Sequence, residues 1–88
     1  MSQIPVKFRV VQVIFRKEGI TNQEILEILK REYPLDRGVQ EKGVLEYLQS
    51  LKAVGLIELT SASSEKNGKL TQCYKITDYG ASRIKYIG

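Results

Sequence analysis

The chain has 88 residues, enough for one domain with a modest core and too few for two. Apolar residues make up 42% and charged residues 27%, the balance of a folded domain; the net charge of +4 is compatible with a polyanionic partner but does not demand one. A single cysteine, Cys73, and no histidine leave no internal disulfide and no nitrogen ligand to join it, so neither a metal nor a cofactor is expected.

The first predicted helix covers residues 5–18. Pro5 suits its first turn, where a missing N–H costs nothing, and Gly19 can close it in a left-handed cap. Val6, Val10, Val13 and Ile14 form one stripe, while Phe8, Val11 and Phe15 form a second about 100 to 180° away. A helix with two apolar stripes must be covered on two sides. Thr21 to Glu24 reads T-N-Q-E, a capping box in which each of the two end residues can satisfy an amide of the other. Ile20 just before it can act as a hydrophobic staple or as a one-rung strand against a hairpin later in the chain. The second helix runs to about Glu32 with Ile25, Leu26, Ile28 and Leu29 inward, and Pro34 turns Tyr33 away from helical geometry. A turn over residues 33–38 follows, in which Asp36 is the expected N-cap of the third helix.

Val44, Leu45, Leu48 and Leu51 recur at three- and four-residue spacing, which places them on one side of that third helix. After Gly55 the period changes: Ile57 and Leu59 alternate with Glu58 and Thr60, as in a strand with one buried face. Gly55 therefore marks a helix-to-strand joint. Residues 61–68 are small, polar or charged and contain the turn dipeptide Asn67-Gly68, so they are expected as the tip of a hairpin. Leu70, Gln72, Tyr74 and Ile76 alternate with Thr71, Cys73 and Lys75 to give its second strand. Thr77 can cap a last helix from Asp78 to about Ile87, with Ile76, Ile84 and Ile87 on one stripe and Tyr79 and Tyr86 on another. The order is three helices, a two-stranded β-hairpin and a C-terminal helix, an α+β arrangement.

Leu48, Leu51, Gly55, Leu56 and Ile57, followed by Tyr74, Ile76, Thr77 and Gly80, give the chain a pattern that resembles winged helix-turn-helix regulators of the PadR-like and MarR-like kind. The resemblance implies that the hairpin is a wing and that the third helix is a recognition helix lying in the major groove of double-stranded DNA. It also implies that the wing touches the backbone or the minor groove. Independently, the face opposite the core stripe of that helix carries Lys42, Gly43, Glu46 and Ser50, with Arg37 and Gln40 near its N-terminal end. Arginine and glutamine can read guanine and adenine edges through paired hydrogen bonds. Glu41 and Glu46 nearly cancel Arg37 and Lys42, and a carboxylate near phosphates is repelled unless it accepts a hydrogen bond, for instance from cytosine N4. Gly43 costs a helix about 1 kcal/mol against alanine; close approach to a groove would explain it, and so would tight packing against the second helix.

Charge is unevenly spread. Residues 1–35 hold six basic and four acidic groups, residues 36–60 three and four, and residues 61–88 five and two. Lys66 and Lys69 at the wing, with Lys75, Arg83 and Lys85 beyond it, are thus placed for phosphate contact. No nucleophile-base pair can be drawn, so an enzyme is not expected. Lys7 and Arg9 break the N-terminal apolar segment, which fits neither a membrane span nor a signal peptide and makes the cytoplasm the expected location. Cys73, in mid-strand, reads as a small half-buried side chain. Two functions remain: a DNA-binding transcriptional regulator, or an interaction module that binds protein through its second apolar stripes. Those stripes, Phe8, Val11 and Phe15 on the first helix and Tyr79 and Tyr86 on the last, predict a homodimer interface.

Overall fold

A computed structural model describes residues 4–64 and 68–87, with side chains given through Ile84. Lys66, and the side chains of Lys85 and Tyr86, lie outside the described residues. The elements are α1 (Val6–Arg16), β1 (Ile20–Thr21), α2 (Asn22–Glu32), α3 (Glu41–Ala53), β2 (Ile57–Ser64), β3 (Leu70–Ile76) and α4 (Asp78–Ile87). The three strands form one antiparallel sheet in the order β1-β3-β2.

α1 begins after Pro5, whose carbonyl accepts the Phe8 and Arg9 amides at 3.0 and 3.1 Å. It stops at Arg16, two residues before the expected end, because Lys17 is already extended and Gly19 takes φ +84°. That turn, open to glycine at no steric cost, sends the Gly19 amide to the Tyr74 carbonyl at 2.8 Å. Ile20 and Thr21 then pair with Tyr74 and Cys73, which adds a third strand to the expected hairpin. Thr21 caps α2 as its sequence indicates: its hydroxyl accepts the Glu24 amide at 3.1 Å and its own amide donates to the Glu24 carboxylate at 3.2 Å. A hydrogen-bonded ion pair with Lys17, and then the Thr21 amide, hold the Glu24 carboxyl below the ordinary glutamate range.

α3 starts later than Asp36 would place it. The Asp36 carboxylate instead accepts the Gly38 amide at 2.8 Å, closing a turn on its own backbone two residues ahead. Gln40 is the N-cap, and its side chain makes no capping bond. Gly43 in the first turn packs against this turn: a Cβ there would stand 2.0 Å from the Gly38 carbonyl oxygen. The close approach that requires a glycine is therefore to the preceding turn, not to α2. At its other end α3 closes in a left-handed cap, with the Leu56 amide on the Leu51 carbonyl and the Gly55 amide on the Lys52 carbonyl, both at 3.0 Å.

β2 reaches Ser64, so residues 61–64, expected as loop, are strand. Ser61 to Ser64 pair with Cys73 to Leu70, because a ladder needs backbone groups and not apolar side chains. The register slips between Leu59 and Ser61, and the Thr60 hydroxyl at this bulge donates to the Cys73 carbonyl at 3.2 Å. Thr77 caps α4, accepting the Gly80 amide on its hydroxyl at 2.9 Å.

The core is built from Val10, Ile14, Ile20, Ile25, Leu29, Val44, Leu48 and Ile57, all fully buried, each worth about 1.5 to 3 kcal/mol of apolar burial. Val11 corrects the expected second stripe. It is only 3% exposed, whereas Phe8 and Phe15 remain 43% and 48% exposed. α4 packs on α1 beside Val11 and leaves the two phenylalanines exposed.

The Arg9 guanidinium grips Glu32 with two hydrogen bonds of 2.7 and 2.9 Å, tying α1 to α2. The first cause of the lowered Glu32 pKa is that bond. A carboxyl whose folded pKa lies below its unfolded value contributes stability above the unfolded pKa, roughly 4.3, and loses it as pH falls through the folded value. Glu32→Gln is therefore expected to lower stability by about 0.5 to 1 kcal/mol at pH 7 and by much less at pH 3. Urea midpoints of the two proteins at both pH values check this. In the same assay Gly43→Ala is expected to lose about 1 to 3 kcal/mol through overpacking, although alanine is the better helix former; a more stable alanine variant would show that the Gly38 turn yields freely.

Candidate nucleic-acid interface

With Val44, Leu48 and Leu51 committed to the core, the 3.6-residue period puts Lys42, Glu46 and Gln49 on the opposite crest of α3, and all three are exposed. Gly43 and Ser50, expected on that face, lie on its flank. Gly43 faces the Gly38 turn, and the Ser50 hydroxyl accepts a hydrogen bond from the Lys7 ammonium at 2.8 Å. Two shallow depressions border the crest: one is lined by Gly38, Gln40, Gly43 and Tyr47, the other by Glu41, Leu45 and Gln49. Lys42 and Glu46 border both, so they form the ridge between them. Gln40 thus joins Lys42, Gly43 and Glu46 as expected, whereas Arg37 is exposed on the turn and lines neither depression. Gln49 was not expected on this surface, and Leu45, expected on the core stripe, is partly buried against the core and also lines the outer depression. Their signal was the spacing of three and seven residues from Lys42.

Glu46 enters none of the ion pairs formed among the described residues, although Lys42 stands one turn before it. Two basic groups on β3 and α4 are more engaged. Lys75 pairs with Glu58 at 3.0 Å, a bond that raises the pKa of its ammonium, and the Arg83 guanidinium lies 6.0 Å from the centre of the Tyr79 ring.

The wing is fixed to α2 by its first two residues. Asn22, buried, donates from Nδ2 to the Leu70 carbonyl at 3.3 Å and accepts the Gln72 amide on Oδ1 at 2.8 Å. Gln23 adds bonds from Nε2 to the Leu70 carbonyl and the Thr71 hydroxyl at 3.3 and 3.1 Å. A polar cleft opens beside this clamp, lined among others by Gln23, Glu27, Lys30, Glu41 and Lys69. The tip end of the wing and the start of α3 therefore border one surface.

On another side, Phe8, Val11, Leu56, Tyr79 and Ile84 line an apolar groove between α1, α4 and the α3-β2 joint, with Tyr79 54% exposed at its rim. Phe15 does not line it. Cys73 is half-buried on β3. Among the described residues no group of three or more histidine, cysteine, aspartate or glutamate side chains could hold a metal ion, and no helix is long and apolar enough to cross a membrane.

The sequence matches no protein-family model and no curated protein. Solved structures match the fold. A PadR-like transcriptional regulator from Bacillus cereus superposes with a TM-score of 0.70 at 17% identity, over 92% of this chain and 75% of that one. A crystal structure of MarR gives 0.63 at 19% identity, over 97% of this chain and 54% of its own. Bacillus subtilis PadR in complex with operator DNA gives 0.70 at 18% identity, over 91% of this chain and 44% of its own. The chain thus spans about half of the latter two. By fold it is a winged helix-turn-helix domain, with α2 and α3 as the helix-turn-helix pair and β2 and β3 as the wing.

Proposed function

We propose that the protein is a DNA-binding transcriptional regulator, without enzymatic activity, that acts in the cytoplasm. It docks α3 in the major groove of duplex DNA and rests its wing on the backbone or the minor groove. The observation that carries this reading is the shared surface of Glu41 and Lys69, which sets the tip end of the wing beside the N-terminal end of an α3 whose crest is exposed. The operator complex of the fold neighbour from Bacillus subtilis supports it. Arg37, Gln40, Lys42 and Glu46 are the candidate DNA contacts on the helix-turn-helix side, with Gly43 letting the turn lie close to the helix. Lys66 and Lys69 are the candidate phosphate contacts of the wing.

Phe8, Phe15 and Tyr79 favour pairing of two copies, because all three are exposed: Phe8 and Tyr79 line the apolar groove, and Phe15 shares the stripe of Phe8 on α1. Val11 lines that groove and is buried, and by sequence spacing Tyr86 is the further candidate on α4. A two-fold pair sets two recognition helices on successive turns of a palindrome, roughly 34 Å apart. The same groove is what a protein-binding module would use, and the DNA titration below separates the two functions.

If about 4 to 6 phosphates are neutralised per bound unit, log affinity for duplex DNA falls with log salt at a slope of about −4 to −5. Fluorescence anisotropy across a salt series measures it. No binding to any duplex in low salt, or a flat titration, refutes the regulator and leaves the protein-binding module. Sedimentation equilibrium tests the pair: the wild type is expected to dimerise at tens of micromolar, on the order of a modest interface, and Phe8→Glu to be a folded monomer. Unchanged mass in that variant refutes this dimer face.

A further inference from the structure

We infer that Glu46 is the specificity-determining residue of α3, accepting a hydrogen bond from the N4 amino group of a cytosine in the major groove. The inference rests on the DNA-binding reading above and goes further, to the base that is read and the means of rejecting others.

Its basis is placement together with charge. Lys42, Glu46 and Gln49 recur at four and three residues along the outermost line of α3, opposite Val44, Leu48 and Leu51. Whatever α3 enters meets this crest first. Glu46 stands at its middle, on the ridge between the two depressions, and makes no ion pair among the described residues. A carboxylate there is held between two rows of phosphates, and that repulsion acts on every sequence alike. It is offset only where a base offers a donor.

Two bases offer an amino group in the major groove. Adenine sets the N7 acceptor beside its N6 donor, so a carboxylate that reaches N6 also meets a lone pair, whereas cytosine carries no acceptor of its own at that edge. An ionised Glu46 therefore favours cytosine and disfavours the rest. Lys42 and Gln49, one turn to either side, fall on neighbouring base pairs: Lys42 suits the guanine O6 and N7 acceptors and Gln49 the adenine N6 and N7 pair. Leu45 beside them is partly buried and offers a thymine methyl an apolar contact. Repulsion corrected at one position gives discrimination by penalty, which lowers affinity for random DNA as it sharpens choice.

Glu46→Gln tests this, because glutamine keeps the size, removes the charge and can pair with adenine. Selection from random duplexes is run with wild type and variant, both checked by thermal melting for an unchanged fold. Wild type is expected to select a cytosine that the variant does not, with a 5-fold to 100-fold preference over other bases at that position. Glu46→Gln is expected to lose that preference, to admit adenine there, and to bind random duplex more tightly than wild type. Identical base preferences in the two proteins overturn the inference and leave the DNA-binding reading intact. A wild-type preference for adenine at the position altered by Glu46→Gln overturns it as well. Failure of both proteins to bind any duplex overturns the DNA-binding reading and this inference together.

Discussion

The Leu56 peptide joins the two ends of the domain. Its amide closes α3 on the Leu51 carbonyl, and its carbonyl accepts the Thr77 amide at 3.1 Å where β3 gives way to α4. The Thr77 hydroxyl donates to the neighbouring Gly55 carbonyl at 2.6 Å while accepting the Gly80 amide at 2.9 Å. Gly80 is close enough that a Cβ would meet the Leu56 oxygen at 2.1 Å. One short stretch thus fixes where α3 stops, where the sheet begins and how α4 crosses. The contact is between backbones, so only residues without a Cβ, or with a short hydroxyl, fit it.

A second close approach does the same at the start of α3. Gly43 on the Gly38 carbonyl sets the turn against the helix, and the Tyr47 hydroxyl lies 2.8 Å from where a Gly38 Cβ would be. With both ends held, the crest of α3 is presented by a rigid support. The wing is held to the same support through Asn22, whose amide satisfies a strand donor and a strand carbonyl from a buried position. Removing that side chain would leave the Gln72 amide without its partner, which is why a polar residue is retained in the interior.

The distribution of charge separates two roles for the surface. The ion pairs of Arg9 with Glu32 and Lys17 with Glu24 join elements of the scaffold, and Lys75 with Glu58 braces the wing strands. The crest of α3 is left with one cation, one anion and one amide. A surface so balanced attracts polyanions weakly and leaves choice among them to hydrogen bonds. The apolar groove beside α1 and α4 shares no lining residue with that crest, so the proposed pairing of copies and the proposed contact with DNA would make separate demands on the molecule.

Local chemistry determined much of this architecture. The capping box at Thr21, the glycine joint at Gly55, the Thr77 cap, the Val6, Val10, Val13 and Ile14 stripe of α1 and the Val44, Leu48 and Leu51 stripe of α3 each follow from interactions within a few residues, and each is where the sequence places it. What crosses the chain was not legible. Asp36 has the chemistry of an N-cap, yet bonding to Gly38 satisfies its carboxylate first, and the contact of Gly38 with Gly43 delays the helix to Glu41. Residues 61–64 have no strand preference of their own and become strand because β3 offers them a ladder. Val11 shares a stripe with Phe8 and Phe15, and only the path of α4 decides that one is covered and the others are not. The tilt of the α3 face, which puts Gln49 on the crest and sends Gly43 and Ser50 to the flank, depends on the contacts of Gly38 and Lys7 with those flanks. Periodicity fixes the angles between side chains on a helix; which angle faces outward is set by what packs beside it.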